Sequence, residues 1–215
     1  LQPATNWIDH HPRTNPHGSK GFAGRVIVVD RSPESLERAK AYIARGIGSL
    51  QRRGRLSKAA AAPEAIAKRL ALTTDMGELA ACDLVVEAVF EKLDLKKRVF
   101  AELAGVCSSS AILATNTSTL DVDAIAAAAP AFDARGAVLG MHFFSPAHLM
   151  KLVEVVKAQR TKLHALRGVL KVTKAMGKVG VVVGNCDGFV GNRVLDPYSY
   201  EVRRRNAFLL FEMSD

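Results

Sequence analysis

Arg25-Val26-Ile27-Val28-Val29-Asp30 runs straight into Arg31-Ser32-Pro33-Glu34-Ser35, and the change of pattern between the two decides the fold. Consecutive β-branched residues leave no polar face, so the first run predicts a strand buried on both sides, as in a parallel sheet. Ser32 then supplies an N-cap and Pro33 a first-turn residue whose φ is already helical, which predicts a long helix to about Gln51. Toward the C-terminus the same alternation recurs. Strands are predicted over 82–90, 111–115, 136–143 and 151–156, with helices over 94–104 and 121–128 between them. A helix over 161–177 ending at Gly177 and a strand over 179–183 follow, and a last helical stretch runs toward Asp215. This order predicts a doubly wound, mostly parallel α/β sheet over residues 21–187, with 188–215 as the first helix of a helical C-terminal unit. Residues 1–20 show neither helical nor strand period and are expected to form a poorly ordered lead-in.

With 215 residues the chain can hold one sizeable core. No run of about 18 apolar residues occurs and the N-terminus lacks a basic-then-apolar pattern, so an intracellular protein without a membrane partner is expected. Cys82, Cys107 and Cys186 are odd in number and lack C-x-x-C spacing, which argues against a disulfide framework or a zinc site. The net charge of +9 favours an acidic partner. Yet Arg52-Arg53-Gly54-Arg55 and Arg203-Arg204-Arg205 carry no interleaved aromatics and no nucleic-acid signature. They read as solvated helix faces, leaving a phosphorylated small molecule as the anionic partner. His10, His11 and His17 have no acidic or cysteine partner at a metal-binding spacing and read as surface residues.

Chemistry concentrates where strands end. Gly140-Met141-His142-Phe143-Phe144-Ser145-Pro146 sets a histidine at the end of an apolar strand, and Lys151-Leu152-Val153-Glu154-Val155-Val156 buries a carboxylate within the next. A buried, unpaired carboxylate costs several kcal/mol, so the two read as a His/Glu acid–base pair. Thr115-Asn116-Thr117-Ser118 closes another apolar run. In open parallel sheets ligands bind outside the carboxyl ends of the strands, where Asp30 could accept both ribose hydroxyls of an adenine dinucleotide or cap the helix that follows. Arg31 beside it leaves room for a 2′-phosphate, with NAD preferred over NADP. By pattern alone Ser118 is a helix cap, Asn192 a turn residue, and Glu91 with Lys96 an exposed capping and salt-bridge pair. His148 and His164 read as surface residues.

Ala88-Val89-Phe90-Glu91 with Lys96, Asn116-Thr117-Ser118, the 140–146 segment, Leu152-Val153-Glu154-Val155-Val156 and Asp187-Gly188-Phe189-Val190-Gly191-Asn192-Arg193 together resemble the L-3-hydroxyacyl-CoA dehydrogenases. The likeness covers roughly residues 22–210. It is nearest to the dehydrogenase part of multifunctional fatty-acid β-oxidation enzymes, which also carry an enoyl-CoA hydratase module. The resemblance implies a Rossmann-like fold and NAD-dependent oxidation of an L-3-hydroxyacyl-CoA to the 3-oxoacyl-CoA. It implies that His142 is the general base, that Glu154 supports its charge, and that Ser118 and Asn192 hydrogen-bond the reacting oxygen. It further implies cofactor contacts from Asp30, Val89, Phe90, Glu91, Lys96, Ser118 and Ser145. Ser118, Lys96 and Asn192 would touch the substrate, Lys96 facing the CoA phosphates as a point charge.

The resemblance breaks at both ends. The family opens with a strand, a G-x-G-x-x-G turn and a helix that receives the pyrophosphate. Here only Gly18-Ser19-Lys20-Gly21-Phe22-Ala23-Gly24 precedes the Asp30 strand, resembling the tail of that helix. The helical C-terminal domain is reduced to about residues 190–215, and the hydratase module is missing. A sheet without its central first strand would expose two edges and bare the 26–29 strand, so weak NAD binding, slow or no turnover and self-association are expected. The alternative is a catalytically inactive remnant that keeps a binding or assembly surface. The Ala- and Arg-rich wording favours a bacterial, cytoplasmic protein, while Phe143-Phe144-Ser145-Pro146-Ala147-His148 is shared with peroxisomal members. The chain ends Met213-Ser214-Asp215, with no peroxisomal tripeptide.

Overall fold

A computed structural model describes residues 7–9, 24–54 and 62–212. Val26–Val29 form a strand (β2), and Ser32 caps the following helix α1 (Pro33–Arg52), its hydroxyl accepting the Ser35 N–H. Helix α2 (Pro63–Ala67), strand β3 (Leu70–Thr73) and a 3₁₀ turn over Met76–Ala81 lead to β4 (Leu84–Glu87). Then come α3 (Leu93–Val106), β5 (Ile112–Thr115), α4 (Val122–Ala126), α5 (Pro130–Arg135) and β6 (Val138–Phe143). The hairpin partner β7 (Leu152–Lys157), helix α6 (Leu163–Ala175), strand β8 (Val179–Gly184) and the long helix α7 (Gly191–Glu212) complete the chain.

One sheet gathers the strands in the order β3-β2-β1-β4-β5-β6-β7-β8, where β1 is Trp7–Asp9. Strands β2 to β6 run parallel, and β7 and β8 run parallel to each other but antiparallel to them. Alternation along β4 explains the two layers. Val85 packs on one side with Val99, Phe100 and Leu103 of α3, while Leu84 and Val86 pack on the other with Ala165 and Val169 of α6. Both faces are therefore buried, each fully covered apolar side chain contributing about 1.5–3 kcal/mol.

Three expectations need correction. Residues 1–20 do contain a strand, since Trp7–Asp9 pairs antiparallel with both β2 and β4 and occupies the central place. The parallel opening strand is missing from the described residues, but the gap is filled, so β2 is no bare edge and Ile27, Val28 and Val29 are buried. Asp9, the end of β1, pairs with Val26 and Leu84, the first residues of their strands, so β1 ends at the edge of the sheet away from the ligand-binding loops. Second, the strand read over 82–90 stops at Glu87, which frees residues 88–90 as a loop. Third, β3 and α5 went unforeseen: Leu70-Ala71-Leu72-Thr73 lies in an alanine-rich stretch without a β-branched run, and Pro130 starts a new helix just beyond the one read over 121–128. The readings of His10, His11, His17, of the glycine-containing stretch 18–23 and of Arg55 lie outside the described residues, as do those of the Arg203, Arg204 and Arg205 side chains.

Candidate active site

Between β6 and β7 only residues 144–151 intervene, too few for a crossover, so the pair is antiparallel and His142 stands directly opposite Glu154. Their side chains meet with Nδ1···Oε2 at 2.8 Å, 6 % and 2 % exposed. Because a carboxylate only accepts, Nδ1 carries the hydrogen, and in the neutral ring Nε2 holds the free lone pair. Glu154 is held from behind: its Oε1 accepts the N–H groups of Val190 (3.0 Å) and Gly191 (2.8 Å), where α7 begins. These two N–H groups are orphan donors of the helix N-terminus, and the carboxylate oxygen satisfies both. Phe144 and Phe189 wall the imidazole at centroid distances of 4.6 and 5.9 Å. Phe189 is fully buried at φ 49°, a left-handed conformation that costs a non-glycine residue of order 1–3 kcal/mol. At Gly191 the fit is closer still: a Cβ would lie 2.5 Å from Phe144 Cζ, so only glycine lets α7 approach the carboxylate.

The end of β5 supplies the other wall. Asn192 Nδ2 donates to the Ser118 carbonyl at 3.1 Å, which brings these two expected site residues together from opposite ends of the domain. Asn116 Oδ1 accepts the Phe143 N–H at 2.9 Å and fixes the strand end beside His142. Glu91 braces the loop from below, accepting from the Thr117 hydroxyl and from the N–H groups of Ser118 (2.7 Å) and Thr119 (3.2 Å). Burial raises its pKa, but these bonds and the Lys96 charge together hold the Glu91 carboxyl below its ordinary value.

Lys96 departs from the expected exposed pair. Its ammonium is fully buried, donating to Glu87 Oε1 (2.8 Å) and the Val89 carbonyl (3.2 Å) and lying 3.3 Å from Glu91. The salt bridge to Glu91 is present, but a lysine sealed in this way presents no charge to CoA phosphates. Glu87 also accepts from the Val89 N–H (2.6 Å) and the Thr115 hydroxyl (2.7 Å), so the whole 87–91 turn is set by this closed network.

At the end of β2 Asp30 is half-buried, and its Oδ1 accepts the Ser32 N–H at 2.8 Å. That leaves the second oxygen without a protein donor among the described residues, as a ribose-binding carboxylate requires. Arg31 turns to Glu102 of α3 (2.8 and 2.7 Å). Half-buried Val89 and exposed Phe90 and Ser145 stand at the same carboxyl edge. The described residues thus fit the ribose and nicotinamide parts of a dinucleotide. His148 and His164 are exposed, His148 bonding the Tyr42 hydroxyl at 3.0 Å. Among the described residues no group of His, Cys, Asp and Glu could hold a metal ion, and no helix is long and apolar enough to cross a membrane.

Sequence reasoning gave no role to Glu87 or Asn185, and within the polar cluster 115–118 it gave none to Thr115 and Thr117, which bond Glu87 and Glu91. Glu87 could have been found by the argument that found Glu154, since it too is a carboxylate in a buried apolar strand. Asn185 has no such signal; its partners Asp121 and Asp123 lie over sixty residues away.

Residues 19–186 match the family 3-hydroxyacyl-CoA dehydrogenase, NAD binding domain. The human peroxisomal bifunctional enzyme is 54 % identical over 127 residues, 59 % of this chain and 17 % of the relative. The 3-hydroxyadipyl-CoA dehydrogenase of Escherichia coli K12 is 41 % identical over 180 residues, 84 % of this chain and 37 % of the relative. The crystal structure of 3-hydroxybutyryl-CoA dehydrogenase from Escherichia coli K12 superposes with a TM-score of 0.75 at 40 % identity, covering 83 % of this chain and 37 % of that one. The chain spans 17 to 23 % of the length of the peroxisomal bifunctional enzymes it matches.

Proposed function

The chain belongs to the 3-hydroxyacyl-CoA dehydrogenase NAD-binding domain family, and we propose that it carries the dehydrogenase centre of a β-oxidation enzyme acting on L-3-hydroxyacyl-CoA. The observation that carries this reading is the His142–Glu154 pair, closed at Nδ1 and backed by the start of α7. His142 Nε2 takes the proton of the substrate 3-hydroxyl. Glu154 keeps the ring in the tautomer that leaves Nε2 basic and stabilises the imidazolium that results. Ser118 and Asn192 donate to the same oxygen and hold it at the base, a positioning worth several kcal/mol of barrier. NAD, when bound, supplies the acceptor for the hydride leaving C3. Asp30 would hold its adenine ribose, and Val89, Phe90, Glu91, Ser118 and Ser145 its nicotinamide half; Lys96 acts through Glu91 and the 87–91 turn.

Residues 21–187 form the cofactor unit and 188–215 the start of a helical unit in this reading. Val194, Leu195, Tyr198 and Tyr200 on α7 and Val179, Val181 and Val182 on β8 are exposed, which suits association with a further unit or a second copy. Relatives named peroxisomal and relatives from bacteria bracket the compartment; the bacterial cytoplasm is the reading kept, the peroxisome its alternative.

The test is formation of reduced nicotinamide from L-3-hydroxybutyryl-CoA or a longer homologue, compared with His142→Gln and Glu154→Gln. Activity in the parent that is lost in both variants is the expected result. Folded protein silent in all three would leave an inactive remnant with a binding surface.

A further inference from the structure

Asn185 lies at the end of β8, seven residues before Asn192, and every polar atom of its side-chain amide is used. Nδ2 donates to Asp121 Oδ1 (2.6 Å) and Asp123 Oδ2 (2.7 Å), and Oδ1 accepts the Val122 N–H (3.2 Å). An aspartate could not replace it, because two of these contacts need a donor. Asp123 in turn accepts the Gln159 N–H at 2.7 Å through its other oxygen, so the amide ties β8 to α4 and to the loop after β7.

The turn between Asn185 and Asn192 is therefore fastened at both ends to one stretch of chain. Asn185 grips residues 121–123 and Asn192 grips Ser118. Between the two fastenings lie Val190 and Gly191, whose N–H groups hold Glu154. Among the described residues no other side chain of the 185–189 turn makes a polar bond to α4: Cys186 and Phe189 bond to each other, Phe189 packs its ring with Val122 and against His142, and Gly188 supplies a left-handed bend at φ 69°.

We infer that Asn185 is a positioning residue for the acid–base pair: by anchoring the β8–α7 turn on α4, it sets the Val190 and Gly191 N–H groups against Glu154 and so fixes the His142 imidazole. This rests on the dehydrogenase reading for its effect on rate, but its effect on the imidazole hydrogen bond is independent of any turnover.

The experiment uses the full chain without ligand and follows the downfield proton resonance of His142 Nδ1–H, assigned by its loss in His142→Gln. Asn185→Ala is expected to shift or broaden that resonance and the Val190 and Gly191 amide signals. Where the parent is active, it should lower kcat about ten- to a hundredfold, with KM for NAD within about twofold. A role in stability alone would lower Tm and leave the resonance and kcat in place; that result in folded protein overturns the inference. Asn185→Asp, of the same shape and with a third carboxylate facing Asp121 and Asp123, serves if the alanine variant does not fold, and an unmoved resonance there overturns it equally. A resonance that responds in a chain inactive in every form would sink the dehydrogenase reading and keep the positioning role.

Discussion

Glu154 and Glu87 are both sealed near the carboxyl ends of the strands, 2 % and 1 % exposed, and both accept from three donors, yet they do opposite things. Glu87 meets a fully buried lysine, a backbone N–H and a threonine hydroxyl, and Lys96 spends its donors on Glu87, Glu91 and the Val89 carbonyl. Glu154 meets two backbone N–H groups and a histidine whose second nitrogen has no protein partner among the described residues. The first network is closed on a permanent charge and builds the loop that carries Phe90 and Glu91. The second is open at one atom, His142 Nε2, whose lone pair is left to accept a proton. What separates scaffold from chemistry here is the single unused valence, not the burial of the carboxylate.

The largest effects come from one substitution at each centre. His142→Gln should cost about 10²–10⁴ in kcat while leaving urea stability nearly unchanged. Lys96→Met should do the reverse: it leaves Glu87 buried without its cation, and breaking a buried pair typically costs about 3–5 kcal/mol in a denaturant titration. A stable Lys96→Met protein with wild-type unfolding would show that the Glu87 network is not structural, and the distinction between the two carboxylates would fall.

Much of the distinction was legible in the chain. Val26-Ile27-Val28-Val29 and Ser32-Pro33 gave the first strand and helix because neither depends on distant partners, and His142 and Glu154 came out because a charge in an apolar strand must be answered. The cross-strand register that sets them opposite was not legible, since it follows from the short 144–151 connection and from Gly140, where a Cβ would lie 2.7 Å from Val156 Cβ. Lys96 reads as exposed in the sequence because a Glu and a Lys five residues apart look like a surface salt-bridge pair; only packing of α3 on β4 shows that the ammonium faces inward. The Trp7–Asp9 strand was invisible for a similar reason. Three residues carry no period, and their place is set by the gap between β2 and β4.

Glu91 stands between the two centres, braced by Lys96 on one side and bracing Ser118 on the other, and gives a smaller effect that depends on pH. Its folded pKa lies below the unfolded one, so its contribution is present at neutral pH and is lost as pH falls below the ordinary carboxylate value of about 4.3. Thermal unfolding of Glu91→Gln should therefore lie below that of the parent at pH 7, with the gap narrowing on acidification. A gap constant to pH 3 would mean that the loop is held by the shape of residue 91 and not by its charge. Asp121, whose pKa the Asn185 amide lowers, also loses its contribution on acidification and should keep its share of the acid sensitivity in the Glu91 variant.

The smallest effect tests the cofactor end, where a fourth carboxylate meets a cation in the open. Arg31 and Glu102 are 75 % and 44 % exposed, so their coupling in a double-mutant cycle should be about 0.2–1 kcal/mol, unlike either buried centre. Arg31 adjoins Asp30, and Glu102→Gln would release its guanidinium toward a 2′-phosphate. Since only the weak exposed pair is given up, the ratio of NADP to NAD affinity in calorimetry should rise by no more than about fivefold. A tenfold rise would make Glu102 a determinant of cofactor choice acting from α3. No rise at all would place Arg31 away from the ribose and leave the selection of NAD to the Asp30 carboxylate, whose repulsion of a phosphate does not depend on where Arg31 turns.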